Sequence, residues 1–362
     1  MIKDTQLTVN RQDFETMGIL HGVTEFFGLD IGTTAIRLVQ LRGSGPVKTL
    51  AKYAYVPLDS KVALSDAKGD QLKVIQAVHD LLGQAKITTK NVAVGVPSQK
   101  VFTTVVDIDR LAPAELAKTI RFQADSLIPT PLAESKLDWA LLGDSPKDKT
   151  KVEVLLSSVT NEFIEQRLDL LEASGLNVIA FEPDNLALAR AMIPVDATGP
   201  QMVIDIGSKT TDIVICMQGG PRLTRSIPTG AEAIVRTAAQ NLNIDDKQAQ
   251  QFVFKFGLGK DKLEGQIYHA IIGTVDILVS EIEKSIKFFM ARYADVKLER
   301  IIVTGAASVL PEFPLYLANK FNVSAEIGNA WRNVSFPSDR QNELLAVSNH
   351  FGVAAGLAER ME

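Results

Sequence analysis

Two stretches of the chain, Asp30-Ile31-Gly32-Thr33-Thr34 and Asp205-Ile206-Gly207-Ser208-Lys209-Thr210, place an aspartate two residues ahead of a glycine and follow the glycine with hydroxyl side chains. A glycine in a tight turn lets backbone N–H groups come close to an anion, and neighbouring Ser and Thr hydroxyls add short donors. Phosphates suit such a turn. The aspartate ending the preceding strand faces the same space, where it can order a magnesium ion and its waters rather than touch phosphate. One copy alone reads equally well as an ordinary β-turn, since Asp and Gly are common there. Residues 29–39 align without gaps on residues 204–214, however, and the offset that carries Asp30 onto Asp205 is the length of a domain, so a whole domain is duplicated. A third element is the apolar run Ile301-Ile302-Val303-Thr304 followed by the small residues Gly305, Ala306, Ala307 and Ser308. A strand that opens into small residues lets a flat ring lie against backbone, and a helix N-terminus just beyond it favours a phosphate.

The elements that must position these residues alternate strand and helix. Residues 26–30, 36–42 and 50–56 read as a β-meander, because β-branched and aromatic residues run between turns containing Gly or Pro. Apolar residues at helical spacing predict a helix over 71–84, and a short buried strand over 91–96 ends at Pro97. A different unit then begins: a strand over 101–108, a helix opened by Pro113 with Leu116, Ile120 and Phe122, and the loop Pro129-Thr130-Pro131. A strand over 152–159 leads to a helix over 161–173 that stops at Gly175, a residue suited to the left-handed position after a helix. The expected organisation is a tail over 1–25, a first lobe over 26–198 with an inserted subdomain at about 97–160, and a second lobe over 199–362 with a smaller subdomain at about 231–298. The tail is polar, with only Phe14, Met17, Ile19 and Leu20 spaced like a short amphipathic helix, and is expected to be loosely docked.

Hydrophobic residues at 46% and charged residues at 22% are ordinary globular values and exclude a disordered or fibrous chain. A net charge of -5 argues against a nucleic-acid partner, which needs a basic field. The single cysteine, Cys216, closes no intrachain disulfide and sits in an apolar run. His21, His79, His269 and His350 are far apart, so no zinc site is expected, and no histidine is placed by sequence to activate Ser208 as a hydrolase nucleophile. No stretch of about eighteen apolar residues exists to span a bilayer, and the expectation is a cytoplasmic protein without direct membrane insertion.

With the two turns and the third segment in this order, the chain resembles the actin-like ATPase superfamily, a ribonuclease H-like α/β fold in two duplicated lobes. Within it, residues 26–358 look most like the PilM family of type IV pilus assembly proteins, related to the cell-division protein FtsA. The closer likeness lies in Phe27-Gly28-Leu29-Asp30-Ile31-Gly32, Val94-Gly95-Val96-Pro97, Leu127-Ile128-Pro129-Thr130-Pro131-Leu132, Leu137-Asp138-Trp139, and Leu170-Leu171-Glu172-Ala173-Ser174-Gly175-Leu176, with residues 182–190 downstream.

The resemblance implies ATP and magnesium as cofactors. It places Asp30 and Asp205 around magnesium, mainly through water, with Asp205 also a candidate proton acceptor. Gly32, Thr33 and Thr34 would cradle one side of the phosphates, and Gly207, Ser208, Lys209 and Thr210 the other. Gly305, Ala306, Ala307 and Ser308 would line the adenosine, with Gly230 opening a helix nearby. It also leads one to expect a glutamate and a lysine near the base and ribose, where the sequence has Gln250 and Val253. The phosphate side is complete and the adenosine side substituted, which predicts weak ATP binding and at most slow turnover. The implied partners are the short cytoplasmic tail of a PilN-like inner-membrane protein and other pilus platform proteins, which would hold the chain at the inner face of the membrane; self-association stays open. The tail groove is expected among Phe102, Val105, Ile108, Leu111, Ile120 and Leu127 of the insert. Competing functions on the same fold are a sugar or acid kinase and an FtsA-like filament.

Overall fold

The computed structural model describes residues 25–45 and 47–361, and the expected tail lies outside them apart from Glu25. Two sheets carry the duplication. The first takes its strands in the order β14-β3-β2-β1-β4-β8, with β1 (Phe27–Ile31), β2 (Ala35–Arg42), β3 (Lys48–Pro57), β4 (Asn91–Val96), β8 (Asn177–Pro183) and β14 (Val334–Ser335). The second runs β11-β10-β9-β12-β13, with β9 (Gln201–Ile206), β10 (Thr211–Met217), β11 (Gly220–Ile227), β12 (Arg300–Thr304) and β13 (Ser324–Ile327). In each, an antiparallel meander of three strands is extended by two parallel strands on the side of its first strand. The short β14 is the one departure: it comes from the second half of the chain yet pairs with β3 of the first sheet.

The insert is a third sheet, β5-β7-β6, built from β5 (Val101–Asp109), β6 (Ser135–Asp144) and β7 (Lys151–Thr160) and covered by the helix Pro113–Leu127. Alternation along β7 divides its two faces. Val152, Val154 and Leu156 join Ile108, Leu116, Ile120 and Ala124 in the insert's own core, while Glu153 and Leu155 face away from that helix. Ile108 and Ile120 are fully buried there, so neither can line a partner groove, and the expected groove is corrected on this point.

The helix Gln266–Arg292 packs against β11 of the second sheet, and the helices Ala231–Leu242 and Asp246–Phe256 pack on it and on each other. Ile234, Val253, Ile271 and Phe289 share one apolar cluster with Ile204, Ile213 and Ile301, so residues 231–298 have no core separate from their lobe. Between the two sheets lie the helices Asp184–Met192 and Gly352–Ala358, whose cluster draws Val39 and Ala93 from one sheet and Val203, Val214 and Ile302 from the other. They pass so closely that a Cβ on Gly356 would stand 1.8 Å from the Ala187 carbonyl oxygen. Cys216 is buried in this central cluster, in keeping with a packing role. No helix among the described residues is long and apolar enough to cross a membrane.

Candidate functional site

The two turns are the same structure. In the first hairpin Asp30 stands opposite Arg37 and the Gly32 amide donates to the Ala35 carbonyl at 3.1 Å; in the second, Asp205 stands opposite Asp212 and the Gly207 amide donates to the Thr210 carbonyl at 2.9 Å. Each pairing maps onto its counterpart under the gapless alignment of the sequence. Thr34 and Lys209 are exposed at the turns, while Gly32, Thr33, Gly207, Ser208 and Thr210 are half-buried.

The substitution of Arg37 in one copy by Asp212 in the other sets the electrostatics. Asp30 is buried and forms an ion pair with Arg37 at 3.3 Å; burial pushes its pKa up and Arg37 draws it part of the way back. Asp205 is pushed up to about 7, first by burial and then by the charges of Asp212 and Asp30. Burial lifts Asp212 to about 6. A fourth acid, Asp184, the first residue of the helix Asp184–Met192, is raised well above the usual carboxylate range by burial and by Asp30, Asp212 and Asp205 together. The Oδ1 atoms of Asp184 and Asp212 are buried without a hydrogen-bond partner. Four carboxylates from both lobes are therefore coupled through their charges, with Arg37 and Arg167 acting in the opposite sense.

The remaining site residues fall into two groups. Gly230 caps the helix Ala231–Leu242, whose first amides, Ala231 and Glu232, each donate at 2.9 Å to the Gly207 and Ser208 carbonyls. The Ser208 hydroxyl donates to Glu232 Oε1 at 2.5 Å, so the second turn is fastened to that helix through backbone and side chain. Gly305 ends β12 with φ of 83°, and a Cβ there would fall 2.1 Å from Asp205 Oδ1. Asn349 and Ser308 hold this bend: the Gly305 amide donates to the Asn349 carbonyl at 3.1 Å, and the Ser308 hydroxyl donates to the Gly305 carbonyl at 2.7 Å. Ala307 and Ser308 are thus turned into the interior, and Gly305 and Ala306 are left as the partly open residues of this segment. Gly305→Ala has to displace the Asp205 carboxylate and adopt a left-handed backbone, so we expect it to lower stability by about 1–3 kcal/mol and to remove any melting response to MgATP. Thermal melts with and without nucleotide check both.

Val253 is 1% exposed within the second-lobe core, beside Ala249. It does not face a ligand, and a lysine there would bury an ammonium group in apolar surroundings. Gln250 is exposed. The helix carries both residues, but its apolar face takes Val253 inward, which a match by position alone did not reveal. Asp184 and Glu232 were not read as site residues, although Asp184 lies inside the family-like stretch 182–190 and Glu232 follows Gly230 by two residues. Asp212 was inside the aligned block, and its signal was the acid opposite an acid where the first copy has Asp30 and Arg37.

The family model for the type IV pilus assembly protein PilM matches residues 28–362. The chain belongs to the PilM family. Its fold is actin-like. Among solved structures it is similar to the chain described as a PilM-PilN type IV pilus biogenesis complex, with a TM-score of 0.77 and 23% identity over 92% of this chain and 97% of that one. The ethanolamine utilization protein EutJ from Carboxydothermus hydrogenoformans follows at 0.56 and 15% identity, covering 92% and 88% of the two chains. MreB5 of Spiroplasma citri bound to AMPPNP gives 0.52 and 13% identity, covering 92% and 94%.

This PilM-family chain has a second concavity away from the acidic space. A cavity of about 150 Å³ follows the helix Asp184–Met192 and is lined by Leu186, Ala189, Ile193, Val195, Met217 and Pro221, drawn from both lobes and the linker between them. The Glu182–Arg190 ion pair stands at its edge. Leu186 also packs against Ala140, Leu142 and Leu155 of the insert, so all three parts of the molecule meet beside this cavity.

Proposed function

We propose that this PilM-family chain is a nucleotide-binding adaptor of the type IV pilus machine, taking MgATP between its lobes and the N-terminal tail of a PilN-like inner-membrane protein in the cavity along the helix Asp184–Met192. The observation that carries the nucleotide half is the pair of matching hairpins, whose Asp30, Asp205 and Asp212 come from both lobes and act with Asp184 of the neighbouring helix, two of the four acids having an unpartnered oxygen. Uncompensated acids of this kind fit a hydrated divalent cation. Among the described residues no three acidic or imidazole side chains converge to grip an ion directly, which favours contact through water, with Asp30 and Asp205 as the principal acids. Magnesium, when bound, offsets the repulsion among these carboxylates and the charge of the phosphates.

Gly32, Thr33 and Thr34 hold the phosphates from one lobe and Gly207, Ser208, Lys209 and Thr210 from the other, while Gly230, Gly305 and Ala306 give the base side its backbone wall. Gly305 packs against Asp205 Oδ1 and Gly95 packs just as closely against Asp184 Oδ1. Both acids are closely confined, so turnover is slow at most, with Asp205 the candidate proton acceptor.

The partner half rests on family membership and on the apolar cavity, which accepts a large side chain of an extended tail. Ordering a free tail costs entropy, so a dissociation constant in the micromolar range, about -8 kcal/mol, is expected. Such a partner keeps the chain at the inner face of the membrane. Val195 is 39% exposed at the cavity wall, so Val195→Asp is expected to keep the fold. We expect it to weaken binding of a fluorescent tail peptide by about tenfold, about 1.4 kcal/mol, in an anisotropy titration while the response to MgATP stays. Undiminished tail binding by Val195→Asp would place the partner elsewhere.

A further inference from the structure

We propose that a buried charge cluster built on Glu153 fastens the insert to the second lobe and makes tail affinity depend on the nucleotide; the proposal rests on the adaptor reading above. The insert grows out of the first lobe. Its chain enters at Val101, directly after β4 and the turn Ser98–Lys100, and leaves at Thr160 into the helix Asn161–Ala173. Its charged anchor lies on the other lobe.

Glu153, 1% exposed on the lobe-facing side of β7, is 3.3 Å from the Arg222 guanidinium of β11 and accepts from Arg292 Nε at 2.8 Å and from the Tyr293 hydroxyl at 2.7 Å. Arg292 also pairs with Asp107 of β5 at 2.7 Å, and Arg222 donates to the Leu142 carbonyl at 2.8 Å. Three strands of the insert therefore grip two elements of the second lobe. Removing one partner of such a cluster strands buried charge, so the insert follows the second lobe rather than the lobe it is tethered to.

Both proposed sites are linked to this cluster through neighbouring elements. On the cavity side, Pro221 lines the wall and is the residue next to Arg222. On the nucleotide side, the Ser208 turn is fastened to the helix Ala231–Leu242, which bonds to the long helix Gln266–Arg292 through Thr237 with Thr274 at 2.9 Å and through Asn241 to the Ala270 carbonyl at 2.7 Å. The long helix ends at Arg292 and Tyr293. A change of lobe angle on nucleotide binding thus shears the insert against the first-lobe helix Asp184–Met192, where Leu186 separates insert from cavity. Nucleotide then changes tail affinity, and tail changes nucleotide affinity by the same factor.

The test titrates a synthetic tail peptide of the PilN-like partner into the full chain, nucleotide-free and with MgADP or MgAMPPNP, for wild type, Arg292→Gln and Asp107→Asn. In wild type the peptide dissociation constant should change by about tenfold between states, and in the variants the ratio should fall towards one while both ligands still bind. Equal ratios in wild type and variants overturn the coupling and leave the adaptor reading standing. A wild-type chain that binds no peptide overturns both. Hydrogen exchange on wild type guards against a variant that fails to fold: MgADP should alter exchange in Lys151–Thr160, which lies outside the proposed nucleotide site, and unchanged exchange there overturns the coupling.

Discussion

Nucleotide-free protein should lose stability as the pH rises from about 4 to about 7, and magnesium with ATP should restore it. The sign follows from Asp205, whose folded pKa of about 7 lies above the ordinary 3.8. Between those values the folded state holds a proton that the unfolded state has released, so raising the pH favours unfolding until Asp205 is ionised. Asp212, at about 6, adds in the same direction. The shift on Asp205 corresponds to up to about 4 kcal/mol, less whatever the site regains by relaxing or admitting water. Asp205→Asn should therefore stabilise the nucleotide-free chain at pH 8 and leave it nearly unchanged at pH 4. The same variant should lose the benefit of ligand, which for wild type at 100 times the dissociation constant is about 2.7 kcal/mol, or a melting shift of about 3–4 °C. Melts across pH with and without MgATP decide the matter. A wild-type chain equally stable at pH 5 and pH 8, or an Asp205→Asn chain that still responds to MgATP, contradicts this account of the site.

Glu182→Ala should be among the most destabilising single substitutions in the chain, at about 3–5 kcal/mol. Glu182 is 3% exposed and joins Arg190, at 2.5 and 3.1 Å, to Arg360 at 2.8 Å. Burial alone would raise its pKa, but the two guanidinium groups outweigh burial and hold it down at about 2. Alanine leaves two arginines without their acid, one of them almost fully enclosed. Because the folded pKa is depressed, the stabilisation is complete above about 4.5 and is lost as the pH falls towards 2, the reverse of the Asp205 effect. Urea unfolding at pH 7 measures the loss, and the wild-type to Ala difference should shrink at pH 3. A change below 1 kcal/mol at pH 7 would mean that water or a shift of Arg360 replaces the acid.

The duplicated hairpin and the family were legible in sequence because they rest on contiguous residues: Asp30 to Val39 and Asp205 to Val214 carry strand, turn and strand in one reading. The strand over 91–96 and the helix over 161–173 were equally local, bounded by Pro97 and Gly175. What lay beyond reach depended on register across distance. Val253 carries the right spacing for a ligand-facing lysine, yet the apolar cluster of the second lobe takes it inward. Ile108 and Ile120 read as a groove because an apolar residue looks the same whether its neighbour is a partner or a helix of the same subdomain. Asp184 and Glu153 each stand alone in sequence; one becomes a site residue and the other an anchor through neighbours that the chain supplies far away.

The order of synthesis gives β14 and the final helix a further meaning. The first sheet is translated early, but its β3 edge waits for Val334–Ser335, and Gly28 of β1 waits for the backbone of Ala354, to which a Cβ would come within 2.3 Å. A nascent chain that has exposed only its first half on the ribosome thus carries an incomplete lobe with an uncovered apolar face. Residues 26–198 expressed alone should collect on chaperones or aggregate, and the native lobe should close only once Val334–Ser335 and Gly352–Ala358 have been made and have seated against it.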